Sequence, residues 1–230
     1  MLKKSHISNI QIYTDQWDEA RKGRFTSSKM ANLTGDKLYS DGAMSYVHQK
    51  VGESVTGKVS SEDDQIEDEN AEWGRTYEPM AISTFGREMG IEFLVTQKLI
   101  MNPEGRFSST PDAIWVHGES VLKEDEYNVS TLEVKCPRKF PRFIPLHQCK
   151  TPADLKKYNR IYYWQTIDQM HQCDSAVGYF MCFHPFFPEG KNFRIIQFNK
   201  VELWDDFKFL VQRKKLYEEK FWELRMDYLA

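Results

Sequence analysis

Between residues 108 and 137 the chain reads SSTPDAIWVHGESVLKEDEYNVSTLEVKCP. Asp112 follows a proline, and Glu133 and Lys135 come later with one apolar residue, Val134, between them. The segments AIWVH and STLEVKC have strand character. The polar stretch carrying Gly118, Glu124, Asp125, Glu126 and Asn128 suits a hairpin connection. Folding two antiparallel strands about a centre near Lys123 sets Asp112 opposite Glu133. Side chains alternate along a strand, so Glu133 and Lys135 share a face while Val134 and Cys136 point the other way. Two carboxylates and an ammonium then converge. That set suits a hard divalent cation such as Mg2+, which takes few protein oxygens and keeps several waters. The lysine could orient or deprotonate a water, or stabilise negative charge on a phosphate. The same residues also suit a salt bridge across a surface hairpin, and spacing alone leaves both open.

Other segments carry residues of the same chemistry. In RKGRFTSSKMANLTG, Arg21, Arg24, Ser27, Ser28 and Lys29 crowd an expected helix start. Unpaired N–H groups, hydroxyls and guanidiniums make a phosphate cradle there, or simply a basic loop and a Ser-capped helix. Thr14 or Asp15 caps a short helix before it. In WGRTYEP (73–79), Trp73, Tyr77, Ala81 and Phe85 recur every four residues, a stripe that packs inward. Pro79 is expected to kink or restart that helix. Glu78 lies at the stripe's edge, where it reaches a metal or stays a solvated helix glutamate. Thr151-Pro152-Ala153-Asp154 starts a helix expected to run to about Cys173. Tyr158, Tyr162, Gln165 and Gln169 share one of its faces, and a glutamine inside so apolar a helix needs a partner. In CPRKFPRFIPLHQCK, Arg138, Lys139 and Arg142 alternate with apolar residues. Those cations could follow a DNA backbone and Phe140 or Phe143 could touch bases, or the segment is a packed crossover. Its three prolines are read as an irregular loop.

The residues P-D, a spacer and E-V-K resemble the signature of the PD-(D/E)XK nucleases. STPDAI followed by LEVKCP is similar to one branch in particular, the phage lambda exonuclease-like or YqaJ-type viral recombinases. The resemblance spans roughly residues 17 to 200, with its motifs in family order. They are R-x-G-x-x-T-x-S at Arg21, Gly23, Thr26 and Ser28; W-G-x-x-x-E-P at Trp73 to Pro79; S-x-T-P-D ending at Asp112; E-V-K-C-P from Glu133; and Y-x-x-Q at Tyr162 and Gln165. Chance would have to produce each of the five independently and in sequence. Ile167 departs from the family, which has a second glutamine there.

The resemblance implies an α/β (α+β) fold with a restriction-endonuclease-like core, a central mixed β-sheet flanked by helices. It implies Mg2+, with Mn2+ as a substitute, as one or two ions held by Asp112, Glu133, the Val134 backbone carbonyl and Glu78. Lys135 with Gln165 would orient the attacking water. Arg21, Ser28 and Thr110 would bind a 5′-phosphate. The implied activity is 5′→3′ digestion of one strand of linear double-stranded DNA, leaving 3′ tails for a single-strand annealing recombinase. Family members form ring-shaped trimers. An endonuclease or an enzyme of opposite polarity is the rival; a non-catalytic DNA-end scaffold is the second.

Composition frames these readings. The 230 residues suit one nuclease domain over 1–230, with a core at about 14–200 and an amphipathic helix over 201–230. Leu203, Phe207, Leu210, Lys214, Tyr217, Phe221 and Leu224 approximate the inner stripe of that helix. The first residues lack a signal-peptide core and no apolar run spans a bilayer, so a cytoplasmic location is expected, in the host if phage-encoded. Cys136, Cys149, Cys173 and Cys182 have no CxxC spacing, which argues for reduced thiols and against zinc or an iron–sulfur cluster. The net charge is −3, but residues 61–72 hold seven acids and no base. Without them the remainder is about +4, a balance compatible with a DNA-binding face. Strands are expected at 91–100, 176–184 and 193–199. The first of these is expected to join the central hairpin in an antiparallel meander. The second is apolar on both faces and so central in the sheet.

Overall fold

The computed structural model describes residues 6–12, 14–59, 69–91, 95–96, 98–101, 105–116 and 129–229. The expected hairpin connection from Gly118 to Asn128 and most of the acidic run (61–68) lie outside these residues.

The chain forms two sheets with helices around them. A four-stranded sheet has the order β1 (His6–Gln11), β4 (Lys98–Met101), β5 (Phe107–Ser109), β2 (Phe25–Thr26). A five-stranded sheet has the order β3 (Val95–Thr96), β6 (Ala113–Val116), β7 (Val129–Lys135), β8 (Val177–Phe183), β9 (Phe193–Asn199). Pairing is antiparallel except for β7 with β8 and β2 with β5, so both sheets are mixed. The expected meander is present as β3–β6–β7. The segment 91–100, however, divides between the sheets, with β3 on β6 and β4 on β1 and β5.

Helices cover both faces of the larger sheet. Leu132 and Val134 of β7 and Tyr179, Met181 and Phe183 of β8 pack with Ala81, Ile82 and Phe85 of α3 (Glu69–Met89). On the opposite face Phe180 and Cys182 join a larger core. It includes Tyr163, Trp164, Ile167 and Met170 of α6 (Arg160–Gln172) and residues of α2 (Asp41–Thr56) and α7 (Trp204–Asp227). β8 is therefore apolar on both sides because both sides are buried. Gly178 is the point of closest approach: a Cβ there would lie 2.5 Å from Met170 Cγ.

Three helical expectations change. The helix expected over 151–173 is two helices, α5 (Pro152–Tyr158) and α6, because Asn159 takes an extended conformation and caps α6 through Ile161 and Tyr162 N–H. The expected loop after Lys135 contains a helix, α4 (Phe140–Gln148). Pro141 falls in its first turn, where no N–H is needed, and Pro145 sits four residues later, so only one ladder donor is missing. Pro79 lies inside α3, and the helix neither stops nor restarts there. Thr14 does cap the short α1 (Asp15–Arg21).

Candidate active site

Asp112 stands one residue ahead of β6. Ala113 pairs with Leu132 and Ile114 with Thr131. Extended by one residue, that register sets Asp112 opposite Glu133. The Val134 N–H donates to Asp112 Oδ2 at 2.6 Å. Within a strand the N–H and C=O of one residue open to the same edge, so the Val134 carbonyl also opens toward Asp112 rather than into the β8 ladder. The alternation of β7 gives Leu132 and Val134 to the α3 core and Glu133 to the α6 face.

Glu133 is 1 % exposed. It accepts hydrogen bonds from Lys135 Nζ and from Gln169 Nε2 of α6. Lys135 Nζ also lies 5.4 Å from the centroid of the Tyr162 ring. Burial by itself would lower the Lys135 pKa, but the charges of Glu133 and Asp112 and the bond to Glu133 outweigh it and hold it above the usual lysine range. Lys135 is thus an ammonium that donates and neutralises. Burial, then the charges of Glu133 and Glu78, push the Asp112 carboxyl well above the usual carboxylate range against the pull of Lys135 and the Val134 N–H. Burial, then Glu78 and Asp112, push the neighbouring Cys136 thiol up to about 12. Three carboxylates, Asp112, Glu133 and Glu78, therefore act on one place, with Lys135 opposing them.

A cavity of about 160 Å³ opens on this place. It is lined by Arg21, Ser28 and Thr110 together with Glu78, Asp112 and Gln165, whereas Glu133 and Lys135 are not part of its lining. Arg21 and Ser28 are carried by the chain around β2, and Thr110 directly follows β5. Arg21 ends α1 with its guanidinium carbon 3.9 Å from the Trp17 ring centroid. Gly23 then turns the chain with φ +64°, and a Cβ there would lie 2.8 Å from Ser54 Cβ, so only glycine fits. The Thr26 N–H donates to Tyr46 Oη of α2 at 2.9 Å, and Thr26 Oγ1 lies 3.2 Å from Ser28 Oγ. The helix expected after this segment is a 3-10 turn, Ser27–Asn32.

Ser27 also lines the cavity, and behind it lies a buried polar network that the sequence reading missed. Ser27 Oγ donates to Asp168 Oδ2 at 2.6 Å, Gln172 Nε2 donates to the same oxygen at 2.8 Å, and Lys214 Nζ of α7 donates to Asp168 Oδ1 at 2.6 Å. A lysine on the inner stripe of α7 was the available signal, since a buried ammonium requires a counter-ion. Gln169 was missed as a site residue as well. It was on the face already noted, and the requirement for a partner applied to it as much as to Gln165. Gln165 lines the cavity, but Gln169 is the glutamine bonded to Glu133.

Among the described residues, no three His, Cys, Asp or Glu side chains are grouped closely enough to ligate an ion by themselves. Asp112, Glu133 and the Val134 carbonyl nevertheless fit a cation that takes few protein oxygens. The excess of negative charge favours one, and polar atoms wait beside it. Gln169 Oε1, Ser108 Oγ and Ser109 Oγ are buried, belong to residues that line the cavity, and have no protein partner. Glu78 is close enough to act on Asp112 by its charge.

The two mixed sheets with flanking helices are consistent with the PD-(D/E)XK-like core of a nuclease. The chain matches the YqaJ-like viral recombinase domain over residues 16–175 and belongs to that family. No curated protein sequence matches it significantly. Its fold is similar to that of an alkaline exonuclease from Laribacter hongkongensis, LHK-Exo, at 18 % identity and a TM-score of 0.64, covering 94 % of this chain and 100 % of that one. The same enzyme in complex with dAMP gives the same values. A phage-related exonuclease from Haemophilus somnus is similar at 15 % identity and a TM-score of 0.60, covering 87 % of this chain and 96 % of that one. Among the described residues, no helix is long and apolar enough to cross a membrane.

Proposed function

We propose that the protein digests linear double-stranded DNA from a 5′-phosphorylated end in the 5′→3′ direction, using Mg2+, and leaves a 3′ single strand for an annealing recombinase. One observation carries the reading: Arg21, Ser28 and Thr110 line the same small cavity as Glu78, Asp112 and Gln165. A phosphate held by the first group sets the next phosphodiester before the second, and that fixes polarity. The dAMP complex of the similarly folded LHK-Exo supports a nucleotide-sized occupant.

Asp112, Glu133 and the Val134 carbonyl would hold the ion, with Glu78 beside it. Bound there, a divalent cation supplies Lewis acidity and neutralises charge on the scissile phosphate. Lys135 contributes positive charge and a donor toward the attacking water, with Gln165 as its second orienting group. Gln169 and Lys135 together hold both oxygens of Glu133 and so aim the carboxylate. Arg21 offers a planar pair of donors to a terminal phosphate, and the Ser28 and Thr110 hydroxyls supply two more. A homo-oligomer, a ring-shaped trimer, would keep the enzyme on its substrate, and the chain would act as one domain over 1–230.

The test is a linear duplex phosphorylated at one 5′ end, labelled at each end in turn and incubated with Mg2+, with Lys135→Ala alongside. Progressive loss from the phosphorylated 5′ end, absent in the variant, is the expected result. Cutting of closed circular DNA would replace this reading with an endonuclease. Tight end binding without cleavage in Mg2+ or Mn2+ would replace it with a scaffold.

A further inference from the structure

Beyond the cavity, at the same end of the five-stranded sheet, lies a ledge of aromatic rings that the hydrolytic reading does not use. The β7–β8 ladder ends where Lys135 pairs with Cys182, and His184 lies just past the end of β8. His184 is buried and surrounded by rings. Phe140 lies 5.2 Å from it, Phe186 5.8 Å and Trp73 5.7 Å, centroid to centroid. Trp73 packs on Tyr77 at 4.4 Å and on Phe186 at 5.7 Å, and Tyr77 directly precedes Glu78. Ring contacts therefore link Tyr77, the sequence neighbour of Glu78, through Trp73 and His184 to Phe186 and Phe140. These two end in solvent: Phe186 is 70 % exposed and Phe140 53 %. Phe143, the other candidate in this segment, is 1 % exposed and serves the core.

Exposed cations lie close to Phe140 in the chain. Arg138, Lys139 and Arg142 are all exposed, and they flank Phe140 in sequence. Arg138 is paired with Glu69 at the start of α3, which ties the ledge to the helix that carries Glu78. A purely apolar partner would leave Lys139 and Arg142 nothing to meet. Unpaired bases on a charged backbone match both features, because every base offers a face to an aromatic ring and every phosphate a charge to a lysine or arginine.

We infer that Phe140 and Phe186, with Lys139 and Arg142, form a stacking platform for single-stranded DNA beside the active-site cavity. This goes beyond the proposed reaction but rests on the reading of the chain as a DNA nuclease. The platform takes bases without regard to sequence and keeps unpaired strand next to the site as the duplex is consumed.

The experiment measures binding of fluorescein-labelled oligo(dT) in EDTA, where nothing is cut, for the wild type, F140A/F186A, F186Y and F186L. A blunt phosphorylated duplex serves as a second probe, and cleavage of that duplex in Mg2+ as a second readout. Both phenylalanines are exposed, so the variants are expected to fold. The platform predicts that F140A/F186A weakens oligo(dT) binding roughly fivefold to a hundredfold per lost stack, with F186Y near wild type and F186L impaired. Blunt-duplex cleavage should fall less than oligo(dT) binding does, and an equal fall in both overturns a role confined to unpaired strand. Unchanged oligo(dT) binding in F140A/F186A overturns the platform while leaving the nuclease reading in place. So does equal binding by F186L and F186Y, since stacking would then not matter. A fall in molecular mass on light scattering, with DNA binding intact, makes the ledge a contact between copies of the chain and also overturns the proposal. If the wild type neither binds nor cuts DNA, the nuclease reading fails and the platform fails with it.

Discussion

Lys214→Met should test whether the network behind the cavity is an ion pair that the fold depends on. Lys214 and Asp168 are both buried, at 2.6 Å from each other, and join α7 to α6. Ser27 and Gln172 complete the shell of the carboxylate. Methionine keeps the volume and removes the charge, so Asp168 is left buried with two neutral donors. Breaking one side of a buried pair costs about 3–5 kcal/mol. For a chain of this size that lowers Tm by roughly 6–20 °C. The companion is Asp168→Asn with Lys214→Met, which removes both charges and keeps the donors from Ser27 and Gln172 a partner. The double variant should recover much of the loss. The dependence on pH follows. In the wild type Lys214 leads the charges and bonds that, against burial, hold Asp168 below the usual carboxylate range, so its contribution is present above the unfolded pKa and lost as pH falls through the folded one. Without Lys214 burial dominates and raises that pKa. The deficit of the single variant should then narrow as pH is lowered from neutral. Thermal melts by circular dichroism at several pH values read all of this. A single variant melting within about 2 °C of wild type, or a double variant as damaged as the sum of the singles, would refute the reasoning.

Three further outcomes are expected. Gln169→Leu removes the donor on one oxygen of Glu133; a hydrogen bond to a charged group contributes about 1.5–3 kcal/mol, so turnover should fall roughly 10- to 100-fold. End binding measured in EDTA should hold, and a loss of binding instead would make Gln169 structural. Gly23→Ala forces a side chain into a φ of +64° against Ser54 and should destabilise the protein by more than about 1 kcal/mol. It should also weaken the preference for phosphorylated over unphosphorylated ends, read by competition; an unchanged preference would detach this turn from the phosphate pocket. His171 is pushed down to about 3, by burial first and then by Lys214. Only the unfolded chain takes up that proton as pH falls from about 6.5, so stability should drop on acidification by at most about 1.4 kcal/mol per pH unit. His171→Gln should flatten this limb of a pH–Tm curve, and an unaltered slope would assign it to other groups.

Much of the site was legible in the chain because it depends on local rules. The alternation of a strand alone sends Glu133 and Lys135 to one face and Val134 to the other. Counting back through the hairpin sets Asp112 opposite Glu133, and the register of β6 on β7 has that arrangement. The five motifs in order pointed to the family, because each is a short run of fixed residue types. The buried stripe of α7 and the strands β8 and β9 were visible in apolar spacing for the same reason. Where local rules were misapplied, the error lay in proline and asparagine. Prolines in a first turn, or spaced four apart, are compatible with the helix α4, and a single extended residue, Asn159, is enough to divide one amphipathic pattern into α5 and α6.

What the sequence could not decide is which distant residues meet. Nothing local relates Arg21 and Ser28 to Asp112, yet pairing of β2 with β5 carries both groups to one cavity. Nor could spacing divide residues 91–100 between two sheets, since that depends on where the fold sets β1 and β5 for β4 and β6 for β3. The choice of Gln169 over Gln165 as the partner of Glu133 is set by how α6 lies against β7 and β8, where Gly178 of β8 allows Met170 of α6 to come close. Lys214 and Asp168 are 46 residues apart and on different helices. Burial forces them together, because a charge removed from water must find its opposite inside the fold.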